Sequence, residues 1–152
     1  MSVSVTIWGE ILRYETELWG DIDRLLRAAH DVPMERYEVL RSVHRQSGCR
    51  VNDISIDLAI TVGATSKLVD RLEAKGWCER RPNPDDRRSS LISLTAAGRA
   101  IYRSVSATYE SYLDEAIGQH LELGEQKILV ELMGRLRGGR PADDLIGSRA
   151  AS

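Results

Sequence analysis

Residues 61–95 read TVGATSKLVDRLEAKGWCERRPNPDDRRSSLISLT, and the order of signals within them decides the fold. Thr61 supplies a side-chain oxygen suited to cap a first helical turn. Ala64, Leu68, Val69 and Leu72 recur three or four residues apart behind it, which predicts a helix over 62–75. Gly76 stops that helix. Two runs of strand character follow, 77–81 and 89–94. The linking PNPDDRR holds two prolines, an Asn and a pair of Asp residues, so the chain must reverse there.

A capped helix followed at once by a hairpin with Arg87 and Arg88 at its tip has the layout of a winged helix-turn-helix. In that layout the helix enters the major groove and the hairpin lies against the backbone or minor groove. The preceding residues fit. Asn52 is placed to cap a short helix over 53–58 that sends Ile54 and Leu58 inward, and 59–61 make the turn. Before it, 49–51 read as extended, and Pro33 opens a helix over 34–46 with Tyr37, Leu40 and either Val43 or His44 inward.

Helical periodicity dominates both ends. Ile7, Ile11, Tyr14, Leu18, Ile22, Leu25 and Ala29 form one stripe over 3–29, with Trp8, Trp19 and Leu26 beside it. Thr95 caps a second long helix running to about 119, with Ala97, Ile101, Val105, Thr108, Tyr112 and Ala116 on one face, and a last helix covers 125–137. The fold class is therefore mainly α with a small β-hairpin wing. Residues 1–137 form a single chain: a DNA-binding lobe over 34–94 and dimerisation helices over 3–29 and 95–137, whose apolar stripes exceed what one small domain covers. The tail over 138–152, rich in Gly, Pro and polar residues, is expected to be flexible.

Composition narrows the function. With 152 residues and a net charge of −2, the chain does not coat nucleic acid by bulk charge, so binding must come from local placement of basic groups. Residues 61–88 hold Lys67, Arg71, Lys75, Arg80, Arg81, Arg87 and Arg88 against Asp70, Glu73, Glu79, Asp85 and Asp86, a small positive excess at the right place. No run of about 18 apolar residues or signal-peptide pattern occurs, so no membrane partner is expected and the location is expected to be cytoplasmic. Cys49 and Cys78 form neither a CxxC pair nor a His-rich cluster, which argues against a zinc site or a disulfide framework; Cys78 is expected under the hairpin. No GxSxG, HExxH, phosphate-binding or dinucleotide fingerprint is present, and His30, His44 and His120 fall on different helices, so neither enzyme, metal nor cofactor is expected.

The chain resembles the MarR family of transcriptional regulators. Asp86-Arg87-Arg88-Ser89-Ser90-Leu91-Ile92-Ser93-Leu94-Thr95 matches the family's wing pattern DxRxxxxxLT, and Leu68-Val69-Asp70-Arg71-Leu72-Glu73 before Lys75-Gly76 matches its recognition helix and stop. The likeness covers 37–98 in motif detail and the rest in helix order. It implies a homodimer that binds double-stranded DNA at a palindromic operator, its recognition helices one turn of DNA apart, roughly 34–36 Å. It also implies a repressor released by a small ligand or an oxidant.

On that resemblance the DNA contacts fall on Val62, Gly63, Thr65, Ser66, Lys67 and Arg71 of the helix and on Asp86, Arg87 and Arg88 of the wing. Hydroxyls and Lys67 suit phosphate, small residues allow close approach, and Arg71 suits a guanine edge or a same-helix ion pair. Arg88, with Arg87, suits a narrow minor groove, with Asp86 holding the guanidinium by a paired contact; Asp70 orients either Arg71 or Lys67. An effector would meet Trp19, His30, Tyr37, Arg41, His44 and Tyr102, a lining suited to a small aromatic or phenolic acid, although aromatics at helical spacing are more often core and histidines more often surface or capping groups. Related oxidant sensors use a cysteine near the start of the first helix, which this chain lacks. A winged-helix module that binds a partner protein, and a thiol-based regulator, are the other readings.

Overall fold

A computed structural model describes residues 2–138, so the expected flexible tail beyond Gly138 lies outside the described residues. The chain divides after Met34 into two units.

The first unit is one helix, α1 (Val3–His30). Ser2 caps it by accepting from the Ser4 N–H at 3.3 Å, and Asp31 ends it in the left-handed region at φ 55°. Asp23 then reaches forward, its carboxylate accepting from the Met34 N–H at 2.8 Å and from Arg27 Nε at 2.7 Å, which fixes the exit of the chain. Burial concentrates in the C-terminal half, at Ile22 and Leu26. Leu26, expected beside the stripe, is fully buried, whereas Ile7 and Tyr14 within it are 46% and 51% exposed. A stripe gives the direction of an apolar face; the length over which a neighbour covers it comes from tertiary contact.

The second unit starts one residue into α2 (Met34–Arg45) and continues with α3 (Val51–Leu58), α4 (Val62–Ala74), strands β1 (Cys78–Pro82) and β2 (Ser90–Leu94), and the helices α5 (Ala96–Gly118) and α6 (Leu123–Leu136). The start of α3 differs from expectation. Asp53, not Asn52, organises it: its carboxylate accepts from the Arg50 N–H at 2.8 Å and from the Arg50 guanidinium at 2.9 and 3.1 Å, and the helix begins at Val51. A carboxylate three residues into a helix reaches the free N–H before the first turn, so no Asn52 cap is needed. Arg45 grips both carboxylate oxygens of Asp57 at 2.6 and 2.8 Å, tying α2 to α3.

The two strands pair antiparallel with Cys78 opposite Leu94, Arg80 opposite Ile92 and Pro82 opposite Ser90. Cys49 adds a short outer rung, its carbonyl accepting from the Ile92 N–H at 2.7 Å. Alternation along β2 sends Ile92 and Leu94 inward. They join Val39, Leu40 and Val43 of α2, Ile54 of α3, Leu68, Val69 and Leu72 of α4, and both cysteines in one core. Val43 is the inward residue of the pair left open: it is 1% exposed and belongs to the core cluster, which His44 does not.

At the start of α5 the hairpin and helix lock together. The Thr95 hydroxyl accepts from the Gly98 N–H at 3.0 Å and donates to the Gly76 carbonyl at 2.6 Å, while the Thr95 N–H donates to the Trp77 carbonyl at 3.0 Å. The last helix contrasts with this. No residue of α6 is buried, and Leu123, Ile128, Val130 and Leu136 are each more than half exposed.

Candidate nucleic-acid interface

The helix α4 presents two unlike sides. Thr65, Leu68, Val69 and Leu72 are buried, and Val62, Gly63, Ala64, Lys67, Asp70 and Arg71 are exposed, with Ser66 half-buried between them. Thr61 caps the helix as expected, accepting from the Ala64 N–H at 3.1 Å. Thr65 corrects the expected DNA-facing set. It is fully buried, and its hydroxyl donates to the Thr61 carbonyl at 2.9 Å. Thr65 and Ala64 both stand at helical spacing from Leu68, Val69 and Leu72. The structure turns Thr65 inward, where back-bonding to the carbonyl four residues earlier satisfies the hydroxyl and leaves its methyl to pack.

The charged residues of α4 have partners that sequence spacing did not suggest. Arg71 Nη1 lies 3.7 Å from Glu35 Oε1 of α2, a loose pair between largely exposed groups and so weak enough to yield to another partner. Asp70, expected to orient Arg71 or Lys67, instead accepts from Arg80 of β1 at 2.5 Å.

The wing tip is held by side chain to backbone bonds. Asn83 is buried, its Oδ1 accepting from the Asp85 N–H at 3.0 Å and its Nδ2 donating to Ser89 Oγ at 2.9 Å. Asp86 Oδ1 accepts from the Arg88 N–H at 2.9 Å, and the Asp86 carbonyl accepts from the Ser89 N–H at 3.2 Å. Asp86 therefore shapes the loop backbone, where it was expected to hold a guanidinium; a short carboxylate beside a turn reaches the N–H two residues on sooner than the end of a long side chain. Arg87 and Arg88 are exposed, and among the described residues neither guanidinium has an ion-pair or hydrogen-bond partner. Two exposed cations thus stand on a loop whose backbone is held by its own side chains.

Sequence reasoning missed the surface at the turn between α3 and α4. Asn52, Ser55, Ile56, Ala59, Ile60, Thr61 and Val62 line an open groove of about 870 Å³ there. Ala59 makes the turn in the left-handed region at φ 53°, where an Asn or Gly would have been a readable signal and an Ala is not.

The residues expected to meet an effector fall in both units. Trp19 and His30 are on α1, Trp19 being 42% exposed. In the second unit Tyr37 is 1% exposed, bonded through its hydroxyl to Ser106 Oγ at 3.2 Å, and burial pushes its phenol up to about 12. Its ring lies 6.2 Å from that of Tyr102 and 4.9 Å from that of Tyr109, and His44 stacks on Tyr102 at 4.2 Å. Arg41 donates to Glu38 at 2.8 Å and lies over the Tyr109 ring at 5.9 Å. Tyr37, Arg41, His44 and Tyr102 thus belong to one aromatic cluster, which also draws in Glu38, Ser106 and Tyr109. Burial likewise pushes the Cys49 thiol up to about 11 and the Cys78 thiol up to about 12, far from the thiolate form that oxidants attack.

A half-buried helix presented after a short turn, with a hairpin carrying two uncommitted arginines beside it, defines a winged helix-turn-helix protein. Comparison with known proteins gives the same class and narrows it. A family model described as the MarR family matches residues 32–90. The multiple antibiotic resistance protein MarR of Escherichia coli is 30% identical over 117 residues, and that of Salmonella typhimurium 32% identical over 119, each alignment covering 75% of this chain and 81% of the relative. A MarR family transcriptional regulator from Streptomyces coelicolor, solved in complex with DNA, superposes with a TM-score of 0.79 at 25% identity, over 97% of this chain and 95% of that one. A mutant of Escherichia coli MarR complexed with operator DNA gives 0.73 at 27% identity, over 90% and 99%. The chain belongs to the MarR family.

Proposed function

We propose that this protein is a sequence-specific DNA-binding transcriptional regulator of the cytoplasm, a repressor that grips a palindromic operator as a homodimer and is released by a small aromatic or phenolic acid. The observation that carries the reading is the pairing of an uncovered α4 face with the unpartnered Arg87 and Arg88. Val62, Gly63 and Ser66 allow close approach, Lys67 suits phosphate and Arg71 a base edge. The relatives solved with DNA share this fold, which supports the reading. The dimer is supported by the exposed apolar residues of α1 and α6, and the effector by the aromatic cluster around Tyr37 and Arg41.

The test is fluorescence anisotropy with duplexes from the region upstream of the protein's own gene, repeated across a salt series. A palindromic segment bound far more tightly than scrambled DNA, with affinity falling steeply as salt rises, is the expected result. Binding to no duplex at low salt would refute it.

A further inference from the structure

We infer that Arg80, which lies in the hairpin and outside the expected contact set, is a positioning residue for DNA binding. Its single charge offsets the Asp70 carboxylate of the recognition helix, and its contacts with Asp70 and Glu73 fasten that helix to the wing. The inference rests on the DNA-binding reading above and adds to it a residue that touches no DNA.

Strand alternation explains the placement. Cys78, Arg80 and Pro82 share one face of β1, and Cys78 on that face is buried in the core that α4 helps to build. Arg80 therefore leans over α4, where Nη2 meets Asp70 Oδ1 at 2.5 Å and Nε stands 3.5 Å from Glu73 Oε2. The Arg80 side chain is 29% exposed, against 59% for Asp70 and 43% for Glu73. Its Nε is shielded from solvent and, among the described residues, makes no hydrogen bond, only the 3.5 Å ion pair with Glu73, while Nη2 carries the closer contact to Asp70. The next residue behaves differently: Arg81, on the opposite face, is 71% exposed and, among the described residues, pairs with its near neighbour Glu79 alone.

Asp70 poses the problem that this arrangement solves. It lies on the exposed side of α4, one turn beyond Lys67 and next to Arg71, so an uncompensated carboxylate there would face the phosphate backbone as the helix entered a groove. Like charges brought together at an interface oppose association strongly. Arg80 cancels that charge before DNA arrives. Because it bridges two elements, it also holds the wing and the recognition helix in one fixed relation, so neither has to be ordered on binding.

The experiment uses duplexes that the wild-type protein selects from a random-sequence pool. It measures anisotropy over a salt series for Arg80→Gln, Asp70→Asn, the double variant and Arg88→Ala, with melting temperatures alongside. Arg80→Gln is expected to weaken binding roughly tenfold with the salt slope unchanged, because no phosphate contact is lost. Asp70→Asn should bind about threefold tighter, because Arg80 still bridges to Glu73, and the double variant, which regains the charge balance but not the bridge, should recover part of the loss, to within about threefold of wild type. Arg88→Ala should lose affinity and flatten the salt slope by about 0.9, the mark of one phosphate contact. Three results would overturn the inference: a double variant as weak as Arg80→Gln, a slope flattened by about 0.9 in Arg80→Gln, which would make Arg80 itself a phosphate contact, or affinities that track melting temperature in every variant. Wild-type protein that selects no duplex would instead overturn the DNA-binding reading, and this inference with it.

Discussion

Two helical glycines show how far a single side chain's worth of space differs along this chain. A Cβ at Gly98 would stand 1.8 Å from the carbonyl oxygen of Trp77, whereas one at Gly63 would meet nothing within 4 Å. Alanine ordinarily stabilises a helix interior over glycine by about 1 kcal/mol. Gly63 stands in the first turn of α4 and not in its interior, so Gly63→Ala is expected to raise stability by less than that, about 0.5 kcal/mol, although it fills space on the proposed DNA face. At Gly98 the clash is with backbone, which cannot rotate away, and overpacking of this kind costs about 1–3 kcal/mol or more. Gly98→Ala is expected to lower the melting temperature clearly while Gly63→Ala raises it; equal shifts from the two would show that α5 does not dock on Trp77 as described. Neither glycine stands out from the other in sequence. The same is true of Thr65 and Ala64, two small residues one helical step apart: periodicity permits either to face inward, and only the packing around α4 selects Thr65.

At the scale of elements, boundaries and order were legible because they depend on local signals. Thr61 and Thr95 cap their helices as expected, Gly76 adopts φ 72° after α4, and the two strands lie within one residue of the expected runs. The exceptions are α6, which starts at Leu123, two residues before the expected start, and α3, where Asp53 displaces Asn52 as the organising residue. That change has a pH signature. The Arg50 guanidinium bonded to Asp53, with the Arg50 N–H, holds its carboxyl below the ordinary value near 3.8 in the folded protein. The unfolded chain therefore binds the proton first as pH falls. The bond's contribution is complete above the unfolded value and is lost as pH drops through the lower folded value. Asp53→Ala is expected to cost about 1 kcal/mol at neutral pH, in the range of a lost helix cap, and much less at pH near 2. Urea unfolding of both proteins at the two pH values measures it; a difference independent of pH would mean that Asp53 acts by packing and not by charge.

For the whole molecule, the exposed apolar residues at the two ends call for a cover. Val5, Trp8 and Leu12 of α1 are 54%, 57% and 45% exposed, and Val130 of α6 is 71% exposed. In a two-fold dimer every residue of the interface is used twice, so one substitution acts at two places. Val130→Glu or Trp8→Glu is expected to weaken self-association by on the order of 3 kcal/mol, about a hundredfold. Sedimentation equilibrium should then show wild-type dimers and variant monomers with unchanged helical content. Operator affinity should fall with dimerisation, because a single subunit holds only one half-site. Wild-type protein that sediments as a monomer at micromolar concentration would refute the dimer.

The sequence alone determined the order of helices, the hairpin, the caps and the arginine-bearing tip, because each is set by residues within a few positions of one another. It also carried enough of the wing and recognition-helix pattern to indicate the family. Tertiary structure alone decided which of the charged residues remain free. Asp70 and Arg80 are ten positions apart and share no periodicity, and they meet only because a strand folds back over a helix. Asp86 turns to its own loop, and Arg41 to Glu38 and Tyr109. A charge takes the partner that is nearest in space, and distance in space between separate elements is not written in spacing along the chain.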